Sequence, residues 1–519
     1  MTTILESYVQ GGWHAGTGEP RTLYNATTEE AMATCDSTGV DFGGVLAHAR
    51  TVGSPAMRAL TFAERGAMLK ALSGAIHEHR EELLDLSTAN AGTTRKDGKF
   101  DIDGATGTLS AYSYFAKDLG ERGFVSDGAG IQLGRTARFW GQHIRVPLLG
   151  AAVHINAFNF PAWNMLEKAA CALLAGMPVI EKPGTATALV AWRIAQIIVE
   201  SKILPEGAFQ FIAGGTGDLL DRMDAQDALA FTGSAWTANK LRSNPNLITN
   251  SVRTNMEADS LNAAVLGPDV EEGSETWRMF LRNVVLDMQQ KTGQKCTAVR
   301  RIFVPESSAH DIKAELVAML GGIVTGDPAD SASTMGPVAS AAQQRDVRAG
   351  IDKLAASGTI LCGGSDAPLD KGYFVAPTLL EARSADEAIF HEEEVFGPVA
   401  TVIPYSGSAA DATRLVTRGQ GSLVGSLYSN DTAWVEEAVL GMAPWHGRLW
   451  VGSDKMAEQS LPPGMVLPSM VHGGPGRAGG GEELGGDRGL EFYMQRTAVQ
   501  GFKGQVHGCF GAQAEAATT

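Results

Sequence analysis

From Leu148 onward the chain alternates short apolar runs with helical stretches, and the spacing leaves little choice of fold. LLGAAVHINAF is almost wholly apolar, as a strand buried on both faces requires. FNFP follows, with Pro161 placed to open a helix over 162–175. PVIEKPG then reads as a second strand, 185–201 as a second helix, AFQFIAGG as a third strand and ALAFTGS as a fourth. This β-α-β-α rhythm predicts a parallel, doubly wound sheet. Such sheets bind ligands past the carboxyl ends of their strands. The loops FNFP, EKPG, AGGTG and FTGS all fall at that edge.

A second α/β stretch runs over about 257–466. Its strands are RIFV, PVATVIPY, SLVGSLYS and RLWVG, separated by helices near 275–290, 308–321, 340–355 and 431–442. Upstream, 1–60 is loop-rich and 61–90 reads as one helix, with Leu69, Leu72, Ile76 and Leu83 on one face. His77 and His79 are two apart and point to different helix faces, which reads as solvated surface and not as a metal site. Residues 121–147 read as an extended arm or hairpin. The stretch from Pro468 is glycine-rich up to Gly489, and LEFYMQRTAVQ then reads as a strand whose free edge suits pairing with another subunit.

At 519 residues the chain is too long for one core, so two or three domains are expected. Five cysteines, widely spaced and with no CxxC pair, argue against a disulfide framework or a cysteine zinc site. A net charge of −16 disfavours nucleic acid and anionic membrane surfaces as partners. The N-terminal MTTILESYVQGGWHAG lacks the pattern of a signal peptide, and no apolar run reaches membrane-span length. A reducing cytoplasm is the expected location.

KTGQKCTAV carries Cys296 among small residues, with Lys291 and Lys295 adding local positive charge. A cysteine there is either an inert packed residue or a nucleophile, and a nucleophile needs its pKa lowered or its proton removed. Ser234 of FTGS reads as a helix cap or as part of a phosphate-facing helix start. Asn159 caps the next helix or aims its amide at an oxyanion. Lys182 is a solvated lysine or a ribose or phosphate contact. Glu257, in NME, is a surface carboxylate or a general base. Glu392, Glu393 and Glu394 form an acidic run before VFGP. AGGTGD, with Gly215, follows a strand but lacks the third glycine of the dinucleotide fingerprint. GPGRAG, at Gly474–Gly479, has the spacing but reads as loop.

Taken in order, FNFP, EKPG, FTGS, NME, GQKC and EVFGP resemble the aldehyde dehydrogenase superfamily over roughly residues 1–505. The resemblance implies a Rossmann-like cofactor domain (1–125 and 148–256), an α/β catalytic domain (257–467) and a small β oligomerisation arm (126–147 and 468–505), with 506–519 as a tail. It implies Cys296 as nucleophile, Asn159 with the Cys296 N–H as oxyanion donors, and Glu257 as the base that activates water. Lys168 stands where the family commonly has a lysine near the active site. Glu167 is less expected there, and either relays protons or contacts a polar substrate, or else faces solvent. For the dinucleotide the resemblance implies Lys182 at the adenosine ribose, Glu394 at the nicotinamide ribose with Phe396 beside it, and Phe158, Thr185, Gly215, Gly233 and Ser234 along the groove. No metal is implied.

Two departures sharpen the reading. Ala258-Asp259-Ser260 follows the glutamate where many relatives have LGG, which marks a divergent branch. Thr185 stands where NAD-selective members often carry an acidic residue, so a neutral side chain beside Lys182 leaves room for a 2′-phosphate and NADP is expected ahead of NAD. NMEADSLN and HGGPGRAGGGEELGG resemble the branch that oxidises CoA-linked semialdehydes in bacterial aromatic-ring degradation. The expected partner is therefore a small-molecule CoA-linked aldehyde, and the expected assembly a homodimer. A different semialdehyde, or a simple aliphatic aldehyde, is the alternative substrate.

Overall fold

A computed structural model describes residues 2–457 and 459–511. Most of the expected tail, 512–519, lies outside the described residues, and what precedes it includes the helix Lys503–Phe510.

Two seven-stranded sheets make the body of the molecule. In the first, the strands Arg253–Glu257, Ala228–Thr232, Ala152–Ile155, Val179–Lys182 and Phe209–Phe211 lie side by side and parallel. Ser7–Val9 and Gly12–His14 extend it as an antiparallel edge. Chain order reverses between Ala152–Ile155 and Ala228–Thr232, and a doubly wound sheet opens its ligand crevice at such a switch point. FNFP and FTGS leave from those two strands. The N-terminal sixty residues therefore hold more structure than their composition announces: Thr3–Leu5, Ala31–Cys35 and Arg21–Tyr24 form a small sheet of their own, and Ser7–Val9 takes its register from Phe209–Phe211.

The second sheet runs Gly358–Cys362, Thr378–Ala382, Val399–Tyr405, Val299–Pro305, Asn262–Leu266, Ser422–Tyr428 and His446–Gly452, parallel except for the first. It presents the opposite end to the crevice. Cys296 precedes the strand Val299–Pro305 and Glu394 precedes Val399–Tyr405, so these side chains arrive at amino ends of strands. The groove lies between the carboxyl edge of one sheet and the amino edge of the other.

The expected helix over 61–90 is two helices, Phe62–Glu78 and Arg80–Ala91, joined at His79. Thr61 and Glu64 form a reciprocal capping box at the start, the Thr61 N–H donating to Glu64 Oε2 at 2.8 Å. Leu69, Leu72, Ile76 and Leu83 are buried against the long helix Arg95–Leu119 and the helix Trp163–Ala175. The latter is buried over its whole length, so it is apolar all round apart from three polar residues that serve the site.

The arm hairpin Val125–Gln132 and Phe139–Pro147 forms an antiparallel sheet with Met494–Phe502, in register over nine residues. The expected tail strand thus begins at Met494, after a 3-10 stretch, Gly486–Tyr493. Its first pairing partner is this chain's own hairpin, and its second edge carries no strand among the described residues. The glycine-rich stretch does not join that sheet. It forms a separate hairpin, Val471–Gly474 with Gly481–Leu484, laid over the ends of Arg253–Glu257 and His446–Gly452.

Candidate active site

A groove of about 850 Å³ runs between the sheets. Asn159, Glu257 and Cys296 line its inner part, and Phe158, Lys182, Thr185, Gly233, Ser234, Glu394 and Phe396 line the rest. Gly215 does not line it. Its carbonyl accepts a hydrogen bond from Ser37 Oγ at 2.7 Å, which makes AGGTG a packing turn against the N-terminal segment. GPGRAG is the turn of the glycine-rich hairpin, and its Arg477 reaches the groove wall.

The cysteine loop is built to hold one conformation. Arg300 donates to the carbonyls of Gly293 and Lys295 at 2.8 and 3.2 Å and to that of Gly397 at 2.7 Å, clamping GQKC against FGP. Asn262 Nδ2 donates to the carbonyls of Cys296 and Ala298 at 2.7 and 2.9 Å. Gly293 has φ +66°, and a Cβ there would sit 2.2 Å from the Gly397 carbonyl oxygen. Only glycine suits that left-handed close approach.

Lys291 and Lys295 do not supply charge to the sulfur. Both are buried, Lys295 bonds Asp287 at 2.6 Å, and Lys291 lies over the Phe160 ring with Asp101 3.9 Å away. The Cys296 thiol is instead pushed well above the usual range, by burial and by the negative charges of Glu257, Glu167 and Glu394. Of the two routes to a nucleophile, the structure offers proton removal. Cys296, Glu257 and His472 bring their ligand-type atoms within 4.8 Å of one another. The Glu257 carboxyl is raised by burial, but His472 and Lys168 outweigh this and hold it below the ordinary carboxylate range. An ionised carboxylate beside a neutral thiol is a base in place.

Asn159 is not a helix cap. The N-terminus of Trp163–Ala175 is satisfied by Asp101, which accepts from the Trp163 N–H at 2.8 Å. Asn159 Nδ2 instead donates to the Gln294 carbonyl at 3.0 Å and keeps a second N–H free at the groove. The Cys296 N–H has no acceptor among the described residues. Together the two can meet an oxyanion formed at a carbon bonded to sulfur.

Glu167 does not face solvent; it and Lys168 are buried behind Glu257 rather than lining the groove. Lys168 Nζ stands 3.4 Å from Glu167 and 3.3 Å from Glu483, and Asn164 donates to Glu167 at 3.1 Å. Burial lifts the Glu167 carboxyl to about 7, with Glu483 adding to the rise and Lys168 opposing it.

At the outer end, Phe158 and Phe396 meet edge to face at 5.9 Å, with the Arg300 guanidinium over Phe396. Glu394 accepts from the Ser260 N–H at 3.2 Å, and burial raises its carboxyl to about 7 against the pull of Arg300. Ser234 caps Ala235–Arg242, accepting from the Thr237 N–H at 3.3 Å, while Asp259 takes the Ala235 N–H at 2.7 Å. The EADS departure thus closes part of a helix start that the motif leaves open. Lys182 has no carboxylate in ion-pair range among the described residues, and burial with Arg21 nearby lowers its ammonium to about 8. A cation, a buried carboxylate and an aromatic pair along one long groove fit a dinucleotide.

His472, Glu483, Arg300 and Asp259 are given no site role by the sequence, although HGGPGRAGGGEELGG and NMEADSLN contain three of them. The one trace is the glycine density around the first two. A Cβ on Gly479 or Gly481 would come within 2.2 or 2.5 Å of the Met256 carbonyl oxygen, so those glycines let the hairpin lie directly on the Glu257 strand.

The aldehyde dehydrogenase family profile matches residues 13–499. The chain is 42% identical over 478 residues to 3,4-dehydroadipyl-CoA semialdehyde dehydrogenase of Aromatoleum evansii, covering 91% of this chain and 93% of that one. It is 29% identical to a betaine aldehyde dehydrogenase of Rhizobium etli over 85% of its own length and 87% of the relative's. The fold matches an NAD+ complex of an aldehyde dehydrogenase from Bacillus cereus with a TM-score of 0.84 at 22% identity, over 96% of both chains. Among the described residues no helix is long and apolar enough to cross a membrane. The chain belongs to the aldehyde dehydrogenase family and is an NAD(P)-dependent oxidoreductase.

Proposed function

We propose that this enzyme oxidises a CoA-linked semialdehyde, 3,4-dehydroadipyl-CoA semialdehyde, to the carboxylic acid with NADP+, as a step of aerobic benzoyl-CoA degradation. The observation that carries the substrate is the 42% identity over nearly the whole chain to a dehydrogenase named for it. NADP+ is supported by Lys182, a cation without an anionic partner among the described residues, next to neutral Thr185.

In this mechanism Glu257 takes the Cys296 proton as the sulfur adds to the aldehyde carbon. Asn159 Nδ2 and the Cys296 N–H hold the resulting oxyanion. A dinucleotide held in the groove would supply the two-electron acceptor for oxidation to the thioester. Glu257 gives that proton up toward Glu167 and solvent, then deprotonates water as the water oxygen bonds to the acyl carbon; the carbon–sulfur bond breaks, the sulfur takes the proton back from Glu257, and the acid leaves. Lys182 and Thr185 would hold the adenosine ribose and its 2′-phosphate, and Glu394 the nicotinamide ribose. Glu167 and Lys168 sit where they can reset the charge of Glu257. The open edge of Met494–Phe502 and exposed Phe139 and Phe502 support a homodimer through the arm. Five free cysteines accord with a cytoplasmic protein.

The test is a turnover comparison of the CoA semialdehyde with hexanal, each with NADP+ and NAD+. The expected result is the highest kcat/KM for the CoA semialdehyde with NADP+. Equal kcat/KM for hexanal, or a preference for NAD+, overturns the corresponding half of the reading.

A further inference from the structure

Glu257 carries its charge where charge is costly. The side chain is 2% exposed, and neither carboxylate oxygen has an aligned hydrogen-bond donor among the described residues. A carboxylate so placed must be paired or lose its charge. Among the described residues one basic side chain stands at ion-pair distance: His472 Nε2, 3.1 Å from Glu257 Oε2 and itself 4% exposed. It comes neither from the cysteine loop nor from the first sheet, but from the glycine-rich hairpin laid over the Glu257 strand.

The geometry points to His472 as the counter-charge of the catalytic base, an imidazolium that keeps Glu257 ionised and turned beside the Cys296 sulfur. It is a positioning residue and exchanges no proton with substrate. During hydrolysis of the thioester, Glu257 removes a proton from water as the water oxygen bonds to the acyl carbon. The carbon–sulfur bond then breaks, and the proton passes from Glu257 to the departing sulfur, restoring thiol and carboxylate. His472 acts by making the carboxylate the stable form at the start and end of that cycle.

The surroundings decide the sign. Burial works against the imidazolium, as does Arg448 from the strand His446–Gly452, while Glu257 and Glu167 favour it strongly enough to raise the His472 pKa overall. Lys168, on the helix Trp163–Ala175, adds its positive charge at Glu257. Glu483 lies opposite His472 in the hairpin register and is engaged by Lys168 and by Asn255, whose Nδ2 donates to it at 3.3 Å. Cys296 completes the shell as a neutral thiol. Removing the imidazolium therefore raises the Glu257 pKa, and the acid limb of any step that needs the carboxylate moves to higher pH.

The inference rests on Glu257 as the base, so the test separates the two. p-Nitrophenyl acetate acylates the cysteine without any dinucleotide; the p-nitrophenolate burst reports acylation and the following steady rate reports hydrolysis of the acyl-enzyme. The full chain is measured as wild type, His472→Gln, His472→Lys and Glu257→Gln, with His472→Asn replacing the glutamine variant if that one loses its burst. The expected result is an acid limb of the steady rate shifted up by about one pH unit or more in His472→Gln, and returned toward wild type in His472→Lys. A limb that stays in place in His472→Gln, or moves equally in both variants, overturns the proposal, since a merely structural histidine is not rescued by charge. An undiminished steady rate in Glu257→Gln would sink the base assignment itself.

Discussion

Asn159 Nδ2 donates to the Gln294 carbonyl at 3.0 Å, which ties the loop leaving the first sheet to the loop entering the second, two residues before the sulfur. The bond fixes one amide hydrogen and thereby directs the other. The same contact thus sets the relative position of the two sheets' loops and prepares the site for negative charge on an oxygen.

Replacing Asn159 with alanine removes both the oxyanion donor and the tie to the Gln294 carbonyl. The expected loss is about 10²–10³-fold in kcat with little change in KM, as for other oxyanion donors. Steady-state kinetics with hexanal checks it; a loss confined to KM would count against the oxyanion role.

Gly293→Ala places a Cβ against the Gly397 carbonyl in a left-handed conformation. The backbone cost alone is about 1–2 kcal/mol, and the clash pulls GQKC away from the Arg300 clamp. Thermal unfolding is expected at lower temperature, and thiol labelling of Cys296 by iodoacetamide is expected to change in rate. An unchanged melting curve would show that the loop has slack the structure denies it.

Thr185→Glu sets a carboxylate beside Lys182. The account expects KM for NADP+ to rise by at least tenfold and KM for NAD+ to change far less, because a second negative charge meets the 2′-phosphate alone. Parallel changes for both cofactors would place the phosphate elsewhere.

Glu394 is raised to about 7 by burial, so it is charged above that pH and protonated below it. A ribose hydroxyl donates better to the charged form. Dinucleotide KM is therefore expected to climb as pH falls through about 7 in wild type, and to lie flat across that range in Glu394→Gln. A wild-type KM independent of pH would remove Glu394 from the ribose.

Legibility from sequence divides along a physical line. The rhythm from Leu148, and the turns FNFP, EKPG, FTGS and EVFGP, are local signals, since strand burial and helix starts are written in adjacent residues, and these regions fold as read. Asn159 could be read two ways because its rival as helix cap, Asp101, lies far upstream. Lys291 and Lys295 misled for the same reason: Asp101 and Asp287 neutralise them from other helices. His472 and Glu483 were silent, since a glycine-rich run reads as loop until a strand is found for it to lie on. The break at His79 left the buried face continuous, so apolar spacing could not reveal two helices.

The central claim is that one sulfur and one carboxylate act in sequence on one carbon. Glu257→Gln keeps the shape of the side chain and removes the base from both steps, so acylation slows, but hydrolysis slows as well and the covalent intermediate, once formed, persists and builds up over a long incubation. Intact-protein and peptide mass spectrometry after mixing this variant with hexanal and NADP+ tests that directly. The account predicts a hexanoyl adduct on the peptide that holds Cys296, lost when Cys296→Ala is added. Wild-type turnover in Glu257→Gln without an adduct, or an acyl group on another residue, would contradict it.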